Sequence, residues 1–444
     1  MFSQKWTYKE FIKYVMPAVL TMVFISLYTI VDGLFVARFV GTEALASMNL
    51  VYPIYNLGFA ITVMLAVGGS ALISIALGEK DKEKAINRFS LISLVILVTN
   101  ILVSILGIIF IEQILNLLGV TQGLYADAKT YGLILFIALP VLSIKVGYEY
   151  FLRVDDCSGL SLAVAVVGGL VNIVLDYLFV AKFSWGIAGA GFATLLGIIT
   201  SAIIGAVHFI RKPKLIYYKK PKLEWTFLKE ATINGSSEMV TELSGAVTAV
   251  LFNITLLKYA GTPGVAANSV MMYILFLFIA ISLGLSMGIQ PVISYSYGAK
   301  NTEMIKDVMK KSTLTIAILS LVSFLFLQGF GKHLIELFVK DDLRTTELAV
   351  HGMHIFSIAF LFNGINILMS GYFTAINNGK ISAIISFSRS FIFLIPSILI
   401  LPQFLKINGI WLTIPLAELI TLGMVLIFSR RDKIISNKQL KRVA

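Results

Sequence analysis

The chain has a single cysteine among 444 residues, Cys157, and only four histidines. One thiol excludes an intrachain disulfide and any metal cluster held by several cysteines. Charge is scarce as well: 14% of residues are Asp, Glu, Lys or Arg, where soluble globular domains carry about a quarter. Hydrophobic residues make up 58%, and the mean hydropathy is +0.89. These values exclude an ordinary soluble domain. They also leave the net charge of +12 without a soluble basic domain on which nucleic-acid binding could rest. No small-residue cleavage site follows the first apolar run, so that run reads as an uncleaved first span.

What the sequence does contain is a series of apolar runs of roughly 20 residues, the length that crosses a hydrocarbon core of about 30 Å as a helix. Lipid offers no partner to a backbone N–H, so only helices or closed barrels span it, and these runs are too long for barrel strands. Spans are expected near 14–37, 47–75, 89–111, 128–151, 160–181, 187–210, 235–257, 265–295, 312–330, 349–374, 381–402 and 409–429. The fold class is therefore an all-α polytopic membrane protein with twelve transmembrane helices. With both termini cytoplasmic, 26 of the 36 Lys and Arg residues fall on the inner side and 8 on the outer. That asymmetry sets the orientation by the positive-inside rule and accounts for the basic balance through anionic lipid.

A shift of 220 residues aligns the chain with itself. FVGTEALASMNL (39–50) falls on YAGTPGVAANSV (259–270), and ALGEKDKEKAINR (76–88) on SYGAKNTEMIKDV (296–308). A constant offset over so long a stretch marks an internal repeat. Six spans per repeat is an even number, so the halves enter the membrane with the same orientation and form two parallel six-helix lobes around a central cavity. The expected organisation is a first lobe over 1–210, a cytoplasmic linker over 211–234 and a second lobe over 235–444.

A charge at the bilayer centre costs at least about 2.5 kcal/mol, which makes each intramembrane acid a candidate functional group. Depth along the spans brings Asp32, Asp176, Thr194 and Tyr131 to one level in the outer half of the first lobe, with Asn172 one turn from Asp176 on the same helix face. Two carboxyls out of water, with oxygen-bearing neighbours, suit a shared proton or a hard cation such as Na+. The bland reading is a hydrogen-bonded cluster that ties helices together. At the 220 offset Asp32 falls on Phe252, so the second lobe does not copy the pair. Glu238 and Glu242, one turn apart, could meet a cationic substrate or mark a wet helix start. Arg389 and Glu418 suit a structural ion pair, and Lys145 could pair with Glu149. Pro17 shares a span with Asp32 and can bend it.

Glu347, His351 and His354 lie on one face of a helix, a spacing that could bind a metal and would suit a membrane metalloenzyme; no cofactor or resident metal is expected, since no second ligand group accompanies them. Taken together, twelve spans in two halves, the segment VDGLFVARFVGTEALAS, and NIVLDYLF followed by WGIAGAGFAT resemble the multidrug and toxic compound extrusion (MATE) family in its bacterial form. The resemblance runs from Tyr14 to Phe428. It implies export of small cationic amphipathic compounds coupled to inward H+ or Na+, by a non-enzymatic, monomeric protein of the cytoplasmic membrane in contact with lipids. It also implies that Asp32, Asn172, Asp176, Thr194 and Tyr131 form the cation site. Glu238, Glu242 and Asn363 are candidate substrate contacts read from the residues themselves. Some branches carry an acid in the tenth span, where this chain has Asn363 and Asn366. Flippases for lipid-linked sugars share the two-lobe plan, and their anionic cargo calls for a basic cavity.

Overall fold

The computed structural model describes residues 6–339 and 342–443. Lys5 and Lys340, counted in the charge asymmetry, lie outside them. The described residues are helical almost throughout and contain no strand. The spans are α1 (Tyr8–Phe39), α2 (Thr42–Gly78), α3 (Lys82–Ile109), α4 (Gln122–Val154), α5 (Ser158–Asp176) and α6 (Gly186–Arg211). A helical stretch over Trp225–Gly298 breaks at Gly261, whose φ of 67° is non-helical, giving α7 (225–260) and α8 (262–298). Next come α9 (Thr302–Phe338), α10 (Leu343–Phe356, continued by Phe360–Ala375), α11 (Gly379–Phe387, continued through Ile395–Leu405) and α12 (Ile407–Val443). Among the described residues eleven helical stretches are long and apolar enough to cross a membrane, with Trp225–Gly298, which holds α7 and α8, counted as one. Twelve spans among the described residues match the sequence expectation, with longer ends. The seventh begins at Trp225, inside the segment expected to be linker, so the extended connection is only 212–224.

Local chemistry explains the helix limits. TYKE at the start of α1 forms a capping box: the Glu10 amide donates to Thr7 Oγ1 at 3.3 Å and the Thr7 amide to Glu10 Oε2 at 2.7 Å. The repeat reappears as geometry. Lys80 and Lys300 both adopt positive φ after α2 and α8. The following Asp81 and Asn301 cap α3 and α9 through the amides of Lys84 and Met304. α5 and α11 each pass into a π-helical turn, Tyr177–Lys182 and Ser388–Leu394, a widening that marks functional positions in many helices.

Packing crosses the halves at one end of the bundle, the end bearing 79–81, 155–157, 212–224 and 299–301, here called the base. Phe11 and Val15 of α1 sit in a core with Leu285, Ile289 and Val292 of α8. Phe227 and Ala231 of α7 sit in the core of the first six helices. α1 and α7 thus exchange their beginnings. Glycine permits the closest approach: a Cβ at Gly68 would lie 1.9 Å from the Ala231 carbonyl oxygen, and one at Gly235 would lie 1.9 Å from that of Met64. The 212–224 connection is strapped to the first half. The buried Asp155 carboxylate accepts the amides of Leu215 at 2.6 Å, Ile216 at 2.9 Å and Lys214 at 3.0 Å, and contacts His208 Nε2 at 2.6 Å.

Candidate functional site

Between the halves lies a cavity of about 470 Å³. α1 contributes Thr21, Tyr28 and Asp32, and α2 contributes Tyr52, Tyr55 and Phe59. Glu238 and Glu242 come from α7, Gln290 from α8 and Arg389 from the π turn of α11. Asn172 and Thr194 complete the wall near Asp32, while Asp176, fully buried, lies behind it. α1 and α5 pack closely enough for this because Gly169 faces the rings of Phe24 and Tyr28; a Cβ there would meet Phe24 at 2.5 Å.

The carboxyls of Asp32 and Asp176 lie within hydrogen-bonding reach of one another. Two carboxylates offer four acceptor oxygens and no donor. Asp32 Oδ1 and both oxygens of Asp176 are buried without a hydrogen-bond partner. Buried acceptors in that condition cost several kcal/mol unless a proton or a cation joins them. Asn172, one turn before Asp176 on α5, donates its Nδ2 to Thr194 Oγ1 at 3.4 Å. The set of two carboxyls, an amide and a hydroxyl has the hard-oxygen character that Na+ takes and the paired acidity that holds a proton.

Four of the five residues expected to form this site are adjacent in space. Tyr131 stands further back: it is 1% exposed and does not line the cavity. Tyr52 of α2, in the cavity wall with Asp32, is a neighbour that sequence reasoning missed. Tyr28 was legible in principle, one turn before Asp32 on the same helix face.

Glu238 and Glu242 line the cavity as expected, whereas Asn363 does not. Asn363 Nδ2 donates to Glu418 Oε1 at 2.8 Å, and Asn366 Nδ2 to Glu418 Oε2 at 2.7 Å. Those amides hold the Glu418 carboxylate, with Arg389 Nη1 at 3.9 Å. Lys145 forms the pairing with Glu149 that its spacing allows, a 2.7 Å ion pair in the cavity wall. Arg153 reaches the same wall, donating Nε to the Glu149 carbonyl and lying over the Tyr150 ring. The wall holds four acids, Asp32, Glu149, Glu238 and Glu242, against three bases, Lys145, Arg153 and Arg389. It is not the basic chamber that an anionic cargo calls for.

The spacing of Glu347, His351 and His354 does not produce a metal site. His351 Nε2 pairs with Asn408 Oδ1 at 2.7 Å and His354 Nδ1 with Gln328 Oε1 at 2.8 Å, so the ligand atoms point to different helices. Among the described residues, ligand atoms converge only at Asp155, Cys157 and His208. There the Asp155 carboxylate is already saturated by backbone amides and His208, which makes it a clamp for the connection.

Known proteins resemble the chain over nearly its whole length. The chain is 23% identical, over 98% of its length and 97% of the relative's, to the multidrug export protein MepA of Staphylococcus saprophyticus. It is 22% identical to MepA of Staphylococcus aureus, over 98% of this chain and 96% of that one. In three dimensions it superposes on a crystal structure of a MATE protein in complex with MaL6 with a TM-score of 0.92 at 21% identity, covering 97% of each chain. The MatE family model matches twice, at residues 17–178 and again at 239–400, once for each repeat. With both of its repeats matched, the chain belongs to the MatE family.

Proposed function

We propose that the protein is a secondary antiporter that exports cationic amphipathic compounds across the cytoplasmic membrane, driven by entry of H+ or Na+ at Asp32 and Asp176. The observation that carries this reading is the pair of buried carboxyls with three donor-less oxygens, one of them in the cavity wall. Membership of the family and relatives that are multidrug export proteins support the transport class. In this reading the two six-helix lobes rock about the base, which faces the cytoplasm together with both termini.

Each step follows from charge. With the pair ionised, the wall attracts an organic cation, while Glu238 and Glu242 add negative charge from the second lobe. Uptake of H+ or Na+ at Asp32 and Asp176 removes the first of these attractions and releases the cargo. A ligand shifts a conformational equilibrium only through differential affinity, and an acid charged in one leg and neutralised in the other supplies it. α1 transmits the change, because its outer part carries Asp32 against α5 while its beginning is packed in the second lobe.

Replacing the acid by its neutral isostere tests this. Asp32→Asn is expected to abolish energised export of a fluorescent cation while leaving the thermal unfolding midpoint near the wild-type value. Export by Asp32→Asn at the wild-type rate would overturn the proposal.

A further inference from the structure

Coupling does not use every polar group of the cavity wall. Gln290 on α8 is 6% exposed and lines the cavity, yet its Nε2 has no hydrogen-bond partner. In other buried amides the NH2 group is engaged: Asn366 Nδ2 donates to Glu418, Asn234 Nδ2 to the Thr374 carbonyl and Asn172 Nδ2 to Thr194; the unpaired Oδ1 atoms of Asn366 and Asn234 lie off the cavity wall. Buried polar groups are nearly always paired, because an unmade hydrogen bond keeps its full desolvation cost. An exception facing a cavity is a group whose partner arrives with the ligand. The same wall carries Glu238 and Glu242, one turn apart on α7, as a seat for positive charge. The rings of Tyr28, Tyr55 and Phe276 supply apolar faces for the body of an amphipathic molecule.

We infer that Gln290 is a specificity-determining residue whose carboxamide hydrogen-bonds a polar group on an organic cation held by Glu238 and Glu242. Cations bearing an amino, amide or carbonyl group are therefore preferred over hydrocarbon cations of the same size. A carboxamide both donates and accepts, so it serves either polarity of substituent. A site built to hydrogen-bond its ligand rejects the analogue that lacks the group, because the protein side is then left buried and unpaired. The inference rests on the organic-cation reading above and assigns the substrate class within it.

A matched pair of dyes separates the two. Ethidium carries two aryl amines on a phenanthridinium ring; 5-ethyl-6-phenylphenanthridinium has the same ring and charge without them. Equilibrium binding to the purified full-length protein is followed by fluorescence for the wild type and for Gln290→Met, an apolar replacement of similar length. The wild type is expected to bind ethidium about tenfold more tightly than the amine-free dye. Gln290→Met should erase that preference and bind the amine-free dye within about twofold of the wild type, which also reports that it is folded. Should Gln290→Met not fold, the wild-type ratio decides alone, and a ratio near one overturns the inference. An unchanged ethidium preference in Gln290→Met, or an equal loss of both dyes, overturns it as well. A wild type that binds neither dye removes the organic-cation reading itself, and this inference with it.

Discussion

At the scale of single residues, buried acids of the same half have opposite fates according to the donors around them. Asp155 collects three backbone amides and a histidine and becomes a clamp; Asp32 and Asp176 collect none for three of their oxygens and become a site for a mobile charge. Asp155→Ala is expected to destabilise the protein by on the order of 3 kcal/mol, since it strands buried donors rather than deleting a whole bonded pair. A lower thermal unfolding midpoint and new proteolytic cuts within 212–224 are the signs to look for; unchanged proteolysis would contradict the clamp. Sequence depth and helical spacing made Asp32, Asn172, Asp176 and Thr194 legible, because those quantities are set within each helix. Tyr52 and Gln290 were not legible, since their role depends on which helix lies opposite. Asn363 reads as exposed to the cavity only until Glu418 is seen to take its amide.

Among the helices, the ends were drawn short because hydropathy fades before the backbone bonding does. Capped polar turns carry α1, α3 and α9 beyond the apolar run. The cap of α10 has a pH signature. Hydrogen bonds from Thr345 hold the Asp342 carboxyl below the usual carboxylate range. A depressed folded value means the cap's contribution is complete above the ordinary carboxylate pKa and is lost as pH falls through the folded one. Exchange protection of the Thr345 amide, corrected for intrinsic rate, is expected to hold from neutral pH down to about 4 and to fall only below it; a loss near neutrality contradicts the assignment. The seam between α2 and α7 is a sharper constraint. Gly68→Ala places a Cβ where the Ala231 carbonyl lies, and overpacking of this kind costs about 1–3 kcal/mol. It is expected to shift the population away from the packed base, seen as a longer distance between spin labels at 82 and 306 with Cys157 replaced. An unchanged distance distribution would show that the seam does not set the equilibrium. The π turns left no mark in the sequence, because hydropathy is indifferent to a one-residue change in helical register.

For the whole molecule, the repeat is a shared scaffold carrying unshared chemistry. Gly41 and Gly261, Lys80 and Lys300, Asp81 and Asn301 recur as backbone devices, and the 220-residue offset predicts each pair. The chemistry departs from the symmetry: Phe252 is buried in an apolar core where the first half has Asp32. The exchange of the beginnings of α1 and α7 between the halves was beyond the sequence, since apolar residues at a helix start do not say which core receives them. It ties the acid pair to the base of the bundle through one continuous helix. The most direct test is to measure ion movement and drug movement together in proteoliposomes, with pH and Na+ gradients imposed separately and an internal pH dye reporting H+. The account predicts that one of the two gradients drives drug transport, that the ion moves opposite to the drug in fixed proportion, and that Asp32→Asn abolishes both fluxes. Drug transport that proceeds without either gradient, or that persists in Asp32→Asn while ion movement is lost, would contradict it.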